Sequence, residues 1–312
     1  MKLSELVAYR NELARMDPVQ VAAQSSGHLQ HIQFVAGRAP QFQSHLDRLD
    51  QGHQHIQSSY HDYAKVLTDL KRDVQAEIDA EAKHWFQESY RLYQEEMIHE
   101  SVDYILDRRC SINAETAEIF RARLGMYADW QRPGMIIRPG REPWIQHLVG
   151  LDPLYILDQD RELLQPALDT FPEMYQNRLR KYVIDERSDH AILKRVPDHQ
   201  IGVCLVYYLF NFRPMEVIRR YLTEIFSKLR PGGMLFMTYN DCDDEKAVRL
   251  VEQHFCCYTP GSLIRDLARS LGYDVVFECP VDGACAWLEL RKPGEFETMR
   301  GGQAITRVLP IL

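Results

Sequence analysis

No CxxC pair occurs among the seven cysteines of this 312-residue chain, at positions 110, 204, 242, 256, 257, 279 and 285. Neither a paired-cysteine zinc site nor a thioredoxin-like redox motif is therefore written in it. An odd count in a chain this long also argues against a disulfide framework, and the thiols read as reduced. No apolar run approaches the roughly 20 residues of a membrane-spanning helix. The polar start "MKLSELVAYRNEL" carries no apolar signal segment, so a cytoplasm is the expected location. Basic residues are in deficit, 37 Lys and Arg against 45 Asp and Glu, for a formal net charge of −8. Nucleic acid and anionic membranes are accordingly not expected as partners. Histidine is plentiful, with eight of twelve before residue 110. His53, His55 and His61 lie close in sequence, but they match no zinc spacing and lack cysteine partners, so no metal is expected.

What the sequence does contain divides into two grammars. Up to about residue 130 prolines are few, Gln, Glu, Asp, Arg and His abound, and β-branched clusters are almost absent, which is helical composition. A first helix runs from about Ser4 to Met16 and stops at Asp17–Pro18, because proline restricts the residue before it and has no amide to donate. From about Gln54 to Arg109, apolar residues recur at Tyr63, Leu67, Leu70, Val74, Ile78, Ala82, Trp85 and Leu92. Steps of three and four place them on one stripe of a long helix whose other faces are charged. A narrow stripe needs a partner, and two sources fit: another copy of the chain, giving a partly coiled-coil stalk or bundle, or the chain's own C-terminal domain. The succession of four-residue steps departs from a strict heptad and loosens left-handed supercoiling.

Near Pro133 short apolar runs begin to alternate with amphipathic stretches. "GMIIRP", "PLYILD", "RKYVID", "IGVCLVYYLF" and "GGMLFMTYN" read as buried strands, with "RELLQPALDTF" and "MEVIRRYLTEIFSKL" as helices between them. This predicts an α/β fold, a Rossmann-like, doubly wound and mostly parallel sheet. At the end, "YDVVFEC" and "ACAWLELRKP" flank the turn-rich "PVDG" and predict an antiparallel hairpin at the sheet edge. The expected organisation is a helical oligomerisation or docking region over 1–130, the α/β domain over 131–298 and a tail over 299–312.

In such sheets a ligand lies beyond the carboxyl ends of the strands, at the first strand-to-helix turn, and an acid ending the second strand binds ribose hydroxyls. Here the turn is "RPGREPW" and the acid is Asp158, 18 residues after Gly140, near the spacing of about 20 that such an acid takes.

From about Pro133 to Pro293 the chain resembles the class I S-adenosylmethionine-dependent methyltransferases, on the strand order, on "KLRPGGMLFMTY" and on the closing hairpin. The resemblance implies S-adenosylmethionine as cofactor if the site is active and none otherwise. It implies cofactor contacts at Gly140 in the first motif, at Asp158 with Gln159 in the second, and at Asp185 of "YVIDE" on the adenine edge. It departs from the family in the first motif: Ile136 stands at the acid, and Arg138 and Glu142 stand at the first and third glycines. Glycine lets backbone approach a ligand, whereas these side chains crowd it; Pro139 and Pro143 also remove two amides. Two readings of Arg138 stand: a grip on a carboxylate or phosphate, and, as the plainer one, a salt bridge to Glu142. After the fourth strand, Tyr207, Tyr208 and Asn211 stand where the family keeps acceptor and catalytic residues, and core packing is the plainer reading of the aromatics.

The whole chain, with its polar helical start and the ending "KPGEFETMRGGQAI", resembles uncharacterised proteins encoded among the structural genes of tailed phages, particularly those of marine cyanobacteria; that implies a virion or host-cytoplasm setting. The reading preferred from sequence is a degenerate methyltransferase fold serving as a structural or assembly component, as a homo-oligomer or in a larger protein assembly formed through its helical arm. The alternative is an active S-adenosylmethionine-dependent methyltransferase acting on a small molecule or protein.

Overall fold

The computed structural model describes residues 2–17, 40–54, 60–98, 114–129, 131–139, 148–169, 171–188, 190–281 and 283–294. Among the described residues four α-helices come first: α1 (Leu3–Ala14), α2 (Gln43–Gln54), α3 (Tyr60–Gln94) and α4 (Ala114–Gly125). The remaining elements are β1 (Gly134–Ile137), β2 (Leu154–Asp158), α5 (Arg161–Asp169), α6 (Glu173–Gln176), β3 (Leu179–Val183), β4 (Ile201–Val206), α7 (Met215–Lys228), β5 (Leu229–Asn240), α8 (Glu245–Glu252), α9 (Gly261–Ser270), β6 (Asp274–Pro280) and β7 (Cys285–Arg291).

The seven strands form one sheet in the order β3-β2-β1-β4-β5-β7-β6. Strands β1 to β5 pair in parallel, and β7 runs antiparallel to both β5 and β6. This is the mostly parallel, methyltransferase-like Rossmann arrangement expected, with the terminal hairpin inserted so that β7 lies inside β6. The strand β4, Ile201–Val206, is buried along its whole length, as a strand covered on both faces must be. The "RPGG" before the fifth apolar run is a bulge: Ile201 faces Leu229, yet Val203 faces Met234. Glycine is needed there, since Gly232 takes φ 73° and a Cβ on Gly233 would lie 2.8 Å from the Ile201 carbonyl oxygen.

Alternation along the strands feeds two apolar layers. Met135, Ile137, Leu157, Cys204, Val206, Leu235 and Met237 point to one face and pack with Val217, Ile218, Tyr221, Leu222 and Ile225 of α7 and with Ile264 and Leu267 of α9. Ile136, Ile156, Val203, Leu205, Met234, Phe236 and Trp287 point to the other, where the N-terminal helices continue the same cluster. The core thus runs unbroken across residue 130.

The long stripe of α3 is covered by its own chain. Leu67, Leu70 and Val74 are each no more than 1% exposed, and α3 packs against α1 and α2. The cover thus comes mainly from the chain's own N-terminal helices, neither of the two sources that the sequence suggests, while Trp85 of the stripe meets His254 of the C-terminal half with ring centroids 6.4 Å apart. In turn α1 is pinned to the α/β domain: Ser4 gives its amide and hydroxyl to the Glu252 carboxylate at 2.9 and 2.8 Å, and Arg10 Nη2 donates to the Asp243 carbonyl at 2.6 Å. In the same cluster, Phe120 of α4 stacks on Trp287 with centroids 4.0 Å apart.

Candidate functional site

The chain order of the strands reverses direction between β1 and β4, the place where a doubly wound sheet opens a crevice at its carboxyl edge. In register, Ile137 lies beside Leu157 on one side and Val206 on the other. One step past this pair come Arg138, just beyond β1, and Asp158, the last residue of β2. The Arg138 amide extends the ladder by donating to the Leu157 carbonyl at 2.7 Å. It then turns the chain with φ 59°, in the left-handed region that glycine enters freely and a branched or long residue seldom does. Its side chain is buried, at 8% exposure.

Asp158 is 1% exposed. The Asp160 amide donates to its Oδ1 at 3.2 Å, whereas among the described residues nothing hydrogen-bonds to its Oδ2. Burial lifts its carboxyl to about 6, against the pull of the Arg138 charge and of the Asp160 and Gln159 amides. A buried carboxylate with one free oxygen at this position fits the hydroxyls of a ribose. The φ of Arg138 is one that glycine takes freely, so the backbone there is compatible with a close-approaching ligand, whereas the buried guanidinium takes up space that glycine would leave open. Gly140 and Glu142 lie outside the described residues, as do Pro143, His55 and the tail.

The acid after β3 that faces inward is Glu186. Asp185, at the adenine edge by resemblance, is exposed and accepts the Arg187 amide of its own turn at 3.0 Å. Glu186 is 4% exposed. Arg213 Nε pairs with its Oε1 at 2.7 Å, Tyr93 donates to Oε1 and Tyr221 to Oε2, each at 2.9 Å, and the Gln159 side chain also bonds to it. Burial pushes Glu186 up, but the Arg213 charge and the bonds from Arg213, Gln159 and Tyr93 outweigh it and leave the carboxyl below its ordinary value. Gln159 therefore links the β2 turn to this network. Arg213 also lies 5.5 Å from the Tyr93 ring centroid.

Beyond Glu186 opens a cavity of about 540 Å³ between the end of α3 (Tyr90, Tyr93, Gln94), the turn after β3 (Arg187) and the start of α7 (Glu216, Val217, Arg220). Arg220 shapes the turn by donating to the carbonyls of Glu186 and Ser188 at 2.9 and 2.8 Å. Tyr207, Tyr208 and Asn211 belong to the packing: all three are buried, the Tyr208 amide donates to Thr238 Oγ1 at 2.7 Å, and Asn211 accepts from Thr238 and donates to Cys285 Sγ. The side chain of "YYLFNFRP" that joins the Glu186 network is Arg213. Among the described residues no cluster of three His, Cys, Asp or Glu side chains is arranged to hold a metal ion, and no helix is long and apolar enough to cross a membrane.

No family model and no curated protein matches the sequence. Solved structures resemble it in fold. A protein described as a possible exported protein from Bordetella parapertussis is 15% identical, with a TM-score of 0.45 over 67% of this chain and 79% of its own. The N-methyltransferase NodS from Bradyrhizobium japonicum WM9, in complex with S-adenosyl-L-homocysteine, is 14% identical, with a TM-score of 0.44 over 66% of this chain and 99% of its own. An S-adenosylmethionine-dependent methyltransferase from Aquifex aeolicus is 10% identical, with a TM-score of 0.41 over 66% and 98%.

Proposed function

We propose that this protein binds an adenosyl ligand of the S-adenosylmethionine kind beyond the carboxyl ends of β1, β2 and β4, with Asp158 as the acceptor for the ribose hydroxyls. The observation that carries the reading is the free Oδ2 of a carboxylate that is 1% exposed. A folded chain keeps such a group at a cost in stability, and donated hydroxyls would relieve that cost. In a methyltransferase-like fold the ligand so held is S-adenosylmethionine, which supplies an activated methyl group when bound. The chain's own part is to hold the adenosine and to wall the site from water with α3 and the Glu186 network. No described side chain is placed as a general base, and methyl transfer can proceed from positioning alone.

A second reading is favoured by Arg138. A buried guanidinium where the first glycine belongs suits a crevice retired from catalysis, the fold then serving as a structural or assembly component that joins copies or a larger complex through its helical region. Calorimetric titration of the full chain with S-adenosyl-L-homocysteine separates the two. Binding that weakens at least tenfold in Asp158→Asn supports the adenosyl site; no heat with the wild type overturns it and leaves the scaffold.

A further inference from the structure

We infer that the cavity beyond Glu186 is a binding site for a small aromatic zwitterion of the α-amino-acid kind, its ammonium on Glu216 and its carboxylate on Arg220 and Arg187. The inference goes beyond the adenosyl reading and uses neither Asp158 nor Arg138.

Three elements build the site. The last turns of α3 bring Tyr90 and Tyr93, the turn after β3 brings Arg187, and the first turns of α7 bring Glu216 and Arg220. At about 540 Å³ the space falls in the small-molecule range of about 300–1,000 Å³. The charges on its wall decide what it takes. Glu186 is already neutralised, since Arg213 pairs with it and Tyr93, Tyr221 and Gln159 donate to it. Arg187 meets Glu96 at 2.6 Å, but both side chains are more than half exposed, and a surface pair of that kind holds weakly enough for a ligand carboxylate to share the guanidinium. Arg220 donates to the carbonyls of Glu186 and Ser188 at 2.9 and 2.8 Å. Those bonds fix the guanidinium and leave its charge, which no carboxylate among the described residues pairs with. Glu216 is exposed and likewise forms no ion pair among the described residues. It stands four residues before Arg220 on α7, so the two lie one turn apart on one helix face. A cation and an anion thus line one cavity without pairing. A ligand of one sign is drawn by one and repelled by the other, whereas a zwitterion meets both through charge-assisted hydrogen bonds. Tyr90 supplies the apolar contact: at 39% exposure it leaves ring surface that an aromatic side chain would cover.

The test is calorimetric, on the full chain, with L-phenylalanine, phenethylamine, 3-phenylpropionate and L-alanine. The last three lack, in turn, the carboxylate, the ammonium and the ring. The wild type is expected to bind L-phenylalanine at least tenfold more tightly than each of the others. Glu216→Gln should weaken L-phenylalanine and phenethylamine at least fivefold and leave 3-phenylpropionate within twofold. Arg220→Met should weaken L-phenylalanine and 3-phenylpropionate by as much and spare phenethylamine. Because Arg220 also braces the turn after β3, Arg187→Gln probes the carboxylate end a second time, with the same pattern expected. No binding of L-phenylalanine by the wild type, a singly charged analogue bound as tightly as the zwitterion, or a preference that ignores the substitutions overturns the site. The adenosyl reading rests on another ligand and another side chain, so each can fail alone.

Discussion

The Tyr93 hydroxyl donates to Glu186 Oε1 over 2.9 Å, and this bond joins the last turn of the 35-residue helix α3 to the turn that follows β3. Glu186 also holds Arg213 at 2.7 Å. Tyr93→Phe removes one donor from a carboxylate that keeps Arg213, Tyr221 and Gln159. The expected cost is about 1–2 kcal/mol in urea denaturation, as for a hydrogen bond to a charged group. Glu186→Ala strands the buried Arg213 guanidinium and is expected to cost about 3–5 kcal/mol. Equal costs would mean that Arg213 finds another partner when Glu186 is gone.

Asp158 sets a pH dependence whose sign follows from burial. Its folded carboxyl sits at about 6, above the ordinary value of about 3.9 it takes when unfolded. Between those values the folded state binds more protons than the unfolded one, so stability falls as pH rises from about 4 to about 6 and stays low above. Asp158→Asn lacks this cost. The variant should exceed the wild type by roughly 2–3 kcal/mol at pH 7.5 and match it near pH 4, measured by denaturation at each pH. The adenosyl site adds the reverse trend in binding: hydroxyls need the ionised carboxylate, so affinity should drop about tenfold per pH unit below 6. A gap between wild type and variant that does not change with pH would mean that Asp158 is already charged at pH 4.

The α/β architecture was legible because buried parallel strands leave continuous apolar runs: β1, β2 and β4 each fall within a run read from the sequence, and β5 contains the fifth run but begins three residues before it. Asp158 was legible because position suffices: it ends a strand at a set distance from a turn. Glu186 was not, because in "DE" the two acids differ only in how the turn after β3 aims them, and that aim depends on Arg213 and Tyr93, 27 residues downstream and 93 upstream in sequence. Periodicity showed that α3 carries a stripe, but it cannot say whose side chains cover it. The left-handed turn at Arg138 is hidden for a related reason, since arginine gives no sign of a conformation that glycine would have announced.

The stripe itself is testable. Leu70 is fully buried where α3 meets its own chain's helices. Leu70→Ala should lower stability by about 2–5 kcal/mol while leaving the mass in light scattering unchanged. A fall in mass would make the stripe a seam between copies.

The terminal hairpin carries the last prediction. Arg123 of α4 reaches Glu289 of β7, with Nη2 2.6 Å from Oε2, and the side chains are 9% and 0% exposed. Trp287 Nε1 donates to the same carboxylate at 2.9 Å, and the guanidinium lies 3.8 Å from the Phe277 ring centroid. Arg123→Met leaves a buried carboxylate with the indole alone and should cost about 3–5 kcal/mol. Adding Glu289→Leu removes the stranded charge, so the double variant should be more stable than Arg123→Met. Coupling of at least about 1 kcal/mol in a double-mutant cycle would locate the worth of the pair in mutual neutralisation. If the two costs simply add, α4 is held to the sheet by the stacking of Phe120 on Trp287, and the ion pair only completes a seam that aromatic contact has already closed.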